Sequence, residues 1–159
     1  NVQGLEWYLD NVHGRVLEKL PDYKLIVAGT TKGADRVKID ALVKGKESIM
    51  FYDTPESLDD IYKEASVFIN PMREGAGVKL KTINAILAGL PVVSTKIGNE
   101  GTGLQHKKHT YECDTPEDFY EGLIEFFEDE TLRRDIVNAS QSYLSQHYDQ
   151  EASLKRVLV

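Results

Sequence analysis

Short apolar runs alternate with helical patterns about five times along this chain, and this alternation constrains its fold more than any other feature. The runs are centred on residues 25–28, 49–51, 67–69, 91–95 and 109–113, of which the last is the weakest. They are short and apolar throughout, as in strands of a parallel sheet that are buried on both faces. The pattern therefore predicts an α/β fold, a doubly wound parallel sheet of about five strands with helices on both faces.

The bulk properties restrict the classes of function. A length of 159 residues predicts a single domain, and a net charge of -7 argues against a nucleic-acid partner. The single Cys113 excludes an internal disulfide and a multi-cysteine metal site, which fits a reducing compartment. The four histidines have no metal-ligand spacing and are expected at the surface. With no apolar stretch long enough to span a membrane and no signal-peptide pattern, we predict a cytoplasmic location.

A cationic glycine turn interrupts this acidic sequence between Asn70 and Lys81. An apolar run ends in Asn-Pro, a turn with two glycines and the basic residues Arg73, Lys79 and Lys81 follows, and a helical pattern then begins. Free backbone N–H groups and the positive end of a helix dipole meet at such a point, so the turn suits a phosphate. The alternative is a strand-to-helix turn that merely needs positive φ, because the pattern matches neither the dinucleotide fingerprint nor the phosphate loop.

Two further residues are candidates on the same edge of the predicted sheet, where the carboxyl ends of parallel strands place ligands. Glu100 follows a buried strand and could accept hydrogen bonds from sugar hydroxyls, or it could be an exposed loop acid. Asn84 lies in the helix after the glycine turn, where an asparagine is mildly unfavourable, so its side chain has either a function or a tolerated place in solvent. Lys79 and Lys81 are two residues apart and cannot face the same way on a helix, so one of them is expected to reach a phosphate.

The order of residues from Pro71 to Gly101 resembles the donor-binding half of GT-B glycosyltransferases of the group 1 type. The runs Leu25–Gly29 and Leu58–Ala65 agree with that resemblance, which extends from Trp7 to about Tyr148 and is most specific over residues 65–101. It implies a Rossmann-like fold that binds a nucleotide-diphosphate sugar. It further implies that residues 1–159 are a single donor-binding domain, a fragment that lacks the first strand and the N-terminal acceptor-binding domain of a two-domain enzyme.

The resemblance also assigns residues and partners. The partners would be the nucleotide-sugar donor and the acceptor-binding domain of the same protein, and no metal or other cofactor is implied. The parent protein could also associate peripherally with a membrane. The residues near the donor diphosphate or sugar would be Gly75, Ala76, Gly77, Val78, Lys79, Lys81 and Glu100. The residues near the nucleoside would be Asn84, Phe51 and Tyr52.

The chain departs from the family pattern in one respect that bears on catalysis. Many members carry two glutamates separated by seven residues, and the corresponding positions here are interpreted as Ala76 and Asn84. Glu74 is nearby but out of register, because the residue at the matching distance from it is Thr82 and not a glutamate. Catalytic residues are therefore not assigned, and the fragment alone is expected to be inactive. Two functions stay open, a sugar transferase that retains anomeric configuration and a catalytically degraded nucleotide-binding or protein-interaction module of the same fold. A flavodoxin- or response-regulator-like module lacks its usual signatures.

Overall fold

The computed structural model describes the backbone of residues 2–158 and the side chains of residues 2–147. Five strands lie in this part of the chain, close to the predicted positions, and every strand pair is parallel. The predicted α/β class with parallel strands is confirmed, but the strands fall into two sheets, ordered β1-β2 and β3-β4-β5. Their bounds are Leu25–Gly29 for β1, Ile49–Asp53 for β2, Phe68–Asn70 for β3, Val92–Ser94 for β4 and Tyr111–Glu112 for β5.

Helices connect the strands and extend the C-terminal part of the chain. Most begin or end within a few residues of the predicted positions. A short helix, α6, stands where a loop was expected, because the Thr95 side chain caps it by accepting a hydrogen bond from the Gly98 N–H. The helices are α1 Val2–Tyr8, α2 Gly14–Lys19, α3 Gly33–Val43, α4 Asp59–Glu64, α5 Leu80–Leu87, α6 Lys96–Asn99, α7 Pro116–Glu128 and α8 Glu130–Leu158.

A π-helical turn, Leu9–His13, joins α1 to α2 without a break in the helix. The wider turn lets the neighbouring residues Val12 and His13 both face the interior, together with Tyr8 and Val16. The centroids of the Tyr8 and His13 rings lie 6.1 Å apart, although the two residues are five positions apart in the sequence. Regular α-helical spacing would not align those two side chains.

Helices cover both faces of the three-stranded sheet, as predicted. Successive side chains of a strand point to opposite faces, and in β4 Val93 packs into one apolar cluster while Val92 packs into another. Helices α1, α2 and α7 contribute to the first cluster, which includes the fully buried Phe119, helix α5 contributes to the second, and α8 contributes to both. All three residues of β4 are therefore buried, and this strand divides the two halves of the core.

Two of the histidines are buried, so the prediction that all four lie at the surface is wrong. His13 is 6% exposed and His109 is 5% exposed. Both ring nitrogens of His13 form hydrogen bonds, since Nδ1 lies 2.9 Å from the Tyr23 hydroxyl and Nε2 lies 2.9 Å from Ser48 Oγ. Burial lowers the pKa of His13, and the nearby Lys46 lowers it further. The His13 ring is thus part of the core, although the polar character of histidine led us to expect it at the surface.

We predict that the free energy of unfolding falls as the pH drops below about 6.5, the ordinary pKa of histidine. The folded-state pKa of His13 is lower than its unfolded value, so the unfolded chain takes up the proton first and is favoured in acid. Urea unfolding at pH 7.5 and 5.5 should show that His13→Gln, although less stable at pH 7.5, loses less stability on acidification than the wild type. The exposed His106→Gln is the control, and an equal loss on acidification in both variants would contradict the prediction.

Candidate functional site

The glycine turn lies at the carboxyl end of β3 and leads into α5. Gly75 and Gly77 have φ of 125° and 87°, in the left-handed region that glycine tolerates, so the predicted need for positive φ is met. Residues 73–78 are exposed, and α5 begins at Leu80 without a side-chain cap. Within the described part of the chain, none of the N–H groups from Gly75 to Lys81 donates a hydrogen bond. The turn therefore presents a run of free donors to solvent.

The three basic residues of this segment have different surroundings. Lys79 is only 6% exposed, and its Nζ lies 3.3 Å from the position that a Cβ on Gly75 would occupy. Lys81, two residues on, is exposed, so the two lysines face different ways as expected. Arg73 turns away, because its guanidinium stacks 4.7 Å from the centre of the Trp7 ring and donates to the Asp114 carbonyl. Lys79 is thus the cation that lies over the turn.

A buried hydrogen-bond network fixes the base of the turn. The Asn70 amide donates to Thr82 Oγ1 at 3.0 Å and to the Gly98 carbonyl at 3.2 Å, and Thr82 Oγ1 donates to the same carbonyl at 2.8 Å. Thr95 Oγ1 donates to the Met72 carbonyl. These bonds tie the end of β3 to α5 and α6. Sequence reasoning did not single out Asn70, Thr82 or Thr95, although a polar residue that ends an apolar strand is a usable signal.

The loop that carries Glu100 lies against the turn. A Cβ placed on Gly101 would come 2.9 Å from Val78 Cα, which shows how closely the two backbones approach. Glu100 itself is exposed at the end of α6. The structure therefore brings together two of the predicted donor-site segments, Gly75–Lys79 and the Glu100 loop.

The three residues predicted near the nucleoside do not converge. Phe51 and Tyr52 are neighbours in β2 and point to opposite faces, with Phe51 5.2 Å from the Arg36 guanidinium and the Tyr52 hydroxyl 3.2 Å from the Glu64 carboxylate. Asn84 is exposed on α5, whereas Thr82 is buried. Two residues correspond to roughly 200° around a helix, so Thr82 is the one that faces the end of β3.

An ion-pair cluster closes the carboxyl end of β2 beside Phe51. Arg36 pairs with Asp53, the last residue of the strand, and with Asp40 one helical turn along α3. The hydrogen bond from Arg36 is the main reason that the pKa of Asp53 lies below its ordinary value. This cluster was missed in the sequence because its members belong to two elements.

The described residues contain neither a candidate metal site nor a candidate membrane span. No group of three or more His, Cys, Asp or Glu side chains there is arranged to hold a metal ion. No helix there has both the length and the hydropathy that a membrane crossing needs. The expectation that no metal takes part stays a prediction.

The family follows from sequence comparison. The model of the family described as glycosyl transferases group 1 matches residues 1–129, so the chain belongs to that family. An uncharacterized 44.6 kDa protein in the cps region of Klebsiella pneumoniae is 35% identical over 153 residues. That alignment covers 94% of this chain and 39% of the Klebsiella protein, so the chain spans about two fifths of the length of its relative.

Solved structures confirm the fold. TarM of S. aureus, solved in complex with UDP, α-GlcNAc-glycerol and fondaparinux, superimposes with a TM-score of 0.80 at 16% identity over 97% of this chain and 32% of that one. The C-terminal domain of a glycosyl transferase group 1 family protein (LpcC) from Francisella tularensis gives a TM-score of 0.71 at 20% identity, over 84% of this chain and 74% of that domain. The chain therefore has the Rossmann-like fold of GT-B C-terminal domains.

We predict that Gly98→Ala lowers the free energy of unfolding by about 3 kcal/mol, because a methyl group there would overlap with the Asn70 carbonyl oxygen. Gly14→Ala is the matched control, since a Cβ at that helical position meets nothing within 4 Å. That variant should be neutral or more stable by up to about 1 kcal/mol. Urea unfolding of both variants measures the difference, and similar effects at the two positions would show that the close approach at Gly98 is unimportant.

Proposed function

We propose that this chain is the nucleotide-sugar donor domain of a longer, two-domain group 1 glycosyltransferase, and that the glycine turn binds the donor diphosphate. The observation that carries the proposal is the combination of free N–H groups from Gly75 to Lys81 with a cationic side chain folded over them. Backbone N–H groups at a helix start bind phosphate, and a nearby cation adds charge-assisted hydrogen bonds.

The surroundings of Lys79 strengthen this assignment. The Lys79 side chain makes no hydrogen bond or ion pair within the described residues, and the residue as a whole is only 6% exposed. Its Nζ is not one of the buried polar atoms that lack a partner, so the ammonium reaches solvent beside the turn. An anion bound on the turn would pair with it. Gly75, Ala76, Gly77 and Val78 would then contact the diphosphate through their backbone, with Glu100 at the donor sugar.

The relatives support the same function. TarM is a structural neighbour solved with UDP, and so is the pneumococcal O-GlcNAc transferase GtfA, which was solved with UDP and GlcNAc. The Klebsiella relative is much longer than the aligned region, which leaves room for an acceptor-binding domain.

The reaction proposed for the longer protein is transfer of the sugar to an acceptor hydroxyl. The acceptor oxygen bonds to the anomeric carbon, the bond from that carbon to the diphosphate oxygen breaks, and the hydroxyl proton passes to the leaving diphosphate or to water. We expect retention of configuration, as in the family resemblance. Lys79 and the free N–H groups would stabilise the negative charge that develops on the leaving diphosphate, and they are in position before the reaction starts. The groups that bind and activate the acceptor would belong to the other domain.

A catalytically degraded module is the second candidate. Ala76 offers no side-chain donor or acceptor, and Asn84 is exposed on the side of α5 away from Thr82. Such a module would either still bind a nucleotide diphosphate without transfer of sugar, or bind only a partner protein. The first form shares the binding site with the transferase and differs from it only in turnover.

We predict that UDP, GDP or ADP at millimolar concentration raises the melting temperature of the longer protein. Lys79→Met should weaken binding roughly tenfold or more, because it removes a charge-assisted contact of about 1.5–3 kcal/mol while keeping the buried chain apolar. Isothermal titration calorimetry with the nucleotide that gives the largest shift measures the loss. Asn84→Ala, titrated in parallel, tests its predicted contact with the ribose.

Lys19→Ala is the control, because this exposed lysine ends α2 at the opposite edge of the sheet. Its affinity should equal that of the wild type. If none of the three nucleotides shifts the melting temperature, or if Lys79→Met binds as well as Lys19→Ala, the diphosphate site is not on this turn. Binding without transfer of sugar from any of the matching nucleotide sugars would favour the degraded module.

A further inference from the structure

Arg73 is a basic residue of the glycine turn to which the proposed function assigns no role. It is exposed and belongs to residues 71–74, the entry limb that leads from β3 to Gly75. Its guanidinium lies 4.7 Å from the centre of the Trp7 ring, and its Nη1 donates to the Asp114 carbonyl at 3.2 Å. Trp7 belongs to α1 and Asp114 lies just before α7, so this exposed side chain joins the entry limb to two other elements.

The neighbours of this arginine lie against the same face of α1. Gln3 Nε2 donates to the Glu74 carboxylate at 3.3 Å, and a Cβ on Gly4 would come 2.6 Å from the Pro71 carbonyl oxygen. Residues three and four apart in a helix are neighbours on its surface, so Gln3, Gly4 and Trp7 meet the entry limb together. The first helix therefore contacts the entry limb at three of its four residues.

The remaining residue of the entry limb is held by a different element, whereas the turn that follows is not held in this way. Thr95 Oγ1 donates to the Met72 carbonyl. Gly75 and Gly77 come next, with positive φ and with N–H groups that donate no hydrogen bond within the described part of the chain. Glycine has a wide range of backbone conformations, so the direction of these N–H groups depends on where the limb before them is fixed.

Global stability does not account for these contacts. Arg73, Glu74 and Gln3 are all exposed. A cation–π contact or a hydrogen bond at an exposed position adds little to the free energy of unfolding. The main effect of the contacts is therefore local, on the position of the residues that open the turn.

We propose that Arg73 is a positioning residue of the diphosphate site. Its stack on Trp7 fixes the entry limb, and the fixed limb directs the N–H groups of Gly75 and Gly77 toward the bound phosphates. The same contact keeps the guanidinium away from the ligand, so that Lys79 rather than Arg73 pairs with the diphosphate. This role rests on the proposed function, because the ligand is the diphosphate of that site, but the fixing of the limb can be measured without a ligand.

Nuclear magnetic relaxation of the ligand-free longer protein, with its glycines labelled with nitrogen-15, measures the fixing of the limb. We expect amide order parameters above about 0.7 for Gly75 and Gly77 in the wild type, and below about 0.6 in Arg73→Lys and in Trp7→Leu. Lysine keeps the charge but lacks the planar group that stacks on the ring. Arg73→Lys changes an exposed residue, so the melting temperature should stay within about 3 °C of the wild type.

Arg15→Lys is the matched control. The Arg15 guanidinium makes the same kind of contact between α2 and α7, 4.4 Å from the centre of the Tyr120 ring. Its replacement should leave both the glycine order parameters and the affinity for nucleotides at their wild-type values. Unchanged order parameters in Arg73→Lys would overturn the proposal, whether or not a nucleotide binds.

Isothermal titration calorimetry measures the effect on binding, with the nucleotide among UDP, GDP and ADP that binds the wild type and with its monophosphate. Arg73→Lys and Trp7→Leu should each weaken binding of the diphosphate about threefold to fivefold. The double variant should lose no more than either single variant, because both remove the same contact. The monophosphate has fewer oxygens to meet the N–H groups and should lose less, whereas a general loss of folded structure would weaken both ligands equally.

The results distinguish this role from the proposed function. If Arg73→Lys binds the diphosphate as well as the wild type, or if the losses of the single variants multiply in the double variant, the stack does not position the site and the proposal is wrong. If no nucleotide binds the wild type, the proposed function fails, and the order parameters still show whether Arg73 fixes the entry limb.

Discussion

The side-chain amide of Asn70 holds together the part of the molecule on which the candidate site depends. Its two hydrogen bonds, to Thr82 and to the Gly98 carbonyl, connect the end of β3 to two helices that follow it in sequence. Asn70 and Thr82 are buried, so a lost bond would leave a polar atom without water to replace the partner. Glycine is required at residue 98 because the α6 backbone lies directly on the Asn70 carbonyl.

This rigid base contrasts with the turn that it supports. The glycines of the turn are exposed, and their N–H groups are free, whereas the Lys79 side chain that lies over them is only 6% exposed. A buried base of this kind limits the ordering that the turn needs when a ligand binds, which reduces the cost of binding. In the proposed function, the charge of a bound diphosphate would meet these N–H dipoles and one cation that has no partner among the described residues.

The alternation of apolar runs and helical patterns was sufficient to predict the class of fold and the position of each strand, because buried parallel strands leave a strong local signal. The predictions that failed depend on contacts between distant residues. His13 is buried because Tyr23 and Ser48 meet it, and α6 forms because Thr95 caps it. The periodicity likewise predicted one sheet and did not reveal its division into two, since each strand looks complete by itself.

The candidate site was likewise predicted only in part, because local patterns reveal some of its features and contacts between distant residues decide the others. A glycine turn before a helix can be found by reading neighbours in sequence, and the loop of Glu100 follows from the edge rule for parallel strands. Which side chains face the turn depends on the helical phase of α5, and the short segment gave no basis for preferring Thr82 over Asn84. The position of Phe51 relative to Tyr52 is a matter of strand alternation, which separates two residues that are adjacent in the chain.

The π-helical turn between α1 and α2 has a consequence for how this region tolerates insertions and deletions. One extra residue in a turn rotates everything that follows by about 100° relative to a regular helix. The residues before the turn and those after it thus keep two separate hydrophobic phases, both directed at Phe119 and its neighbours. Loss of a single residue within Leu9–His13 would leave Tyr8 and Val16 seven positions apart, which a regular α-helix places on the same face, so both would stay in the interior and the π turn would be lost.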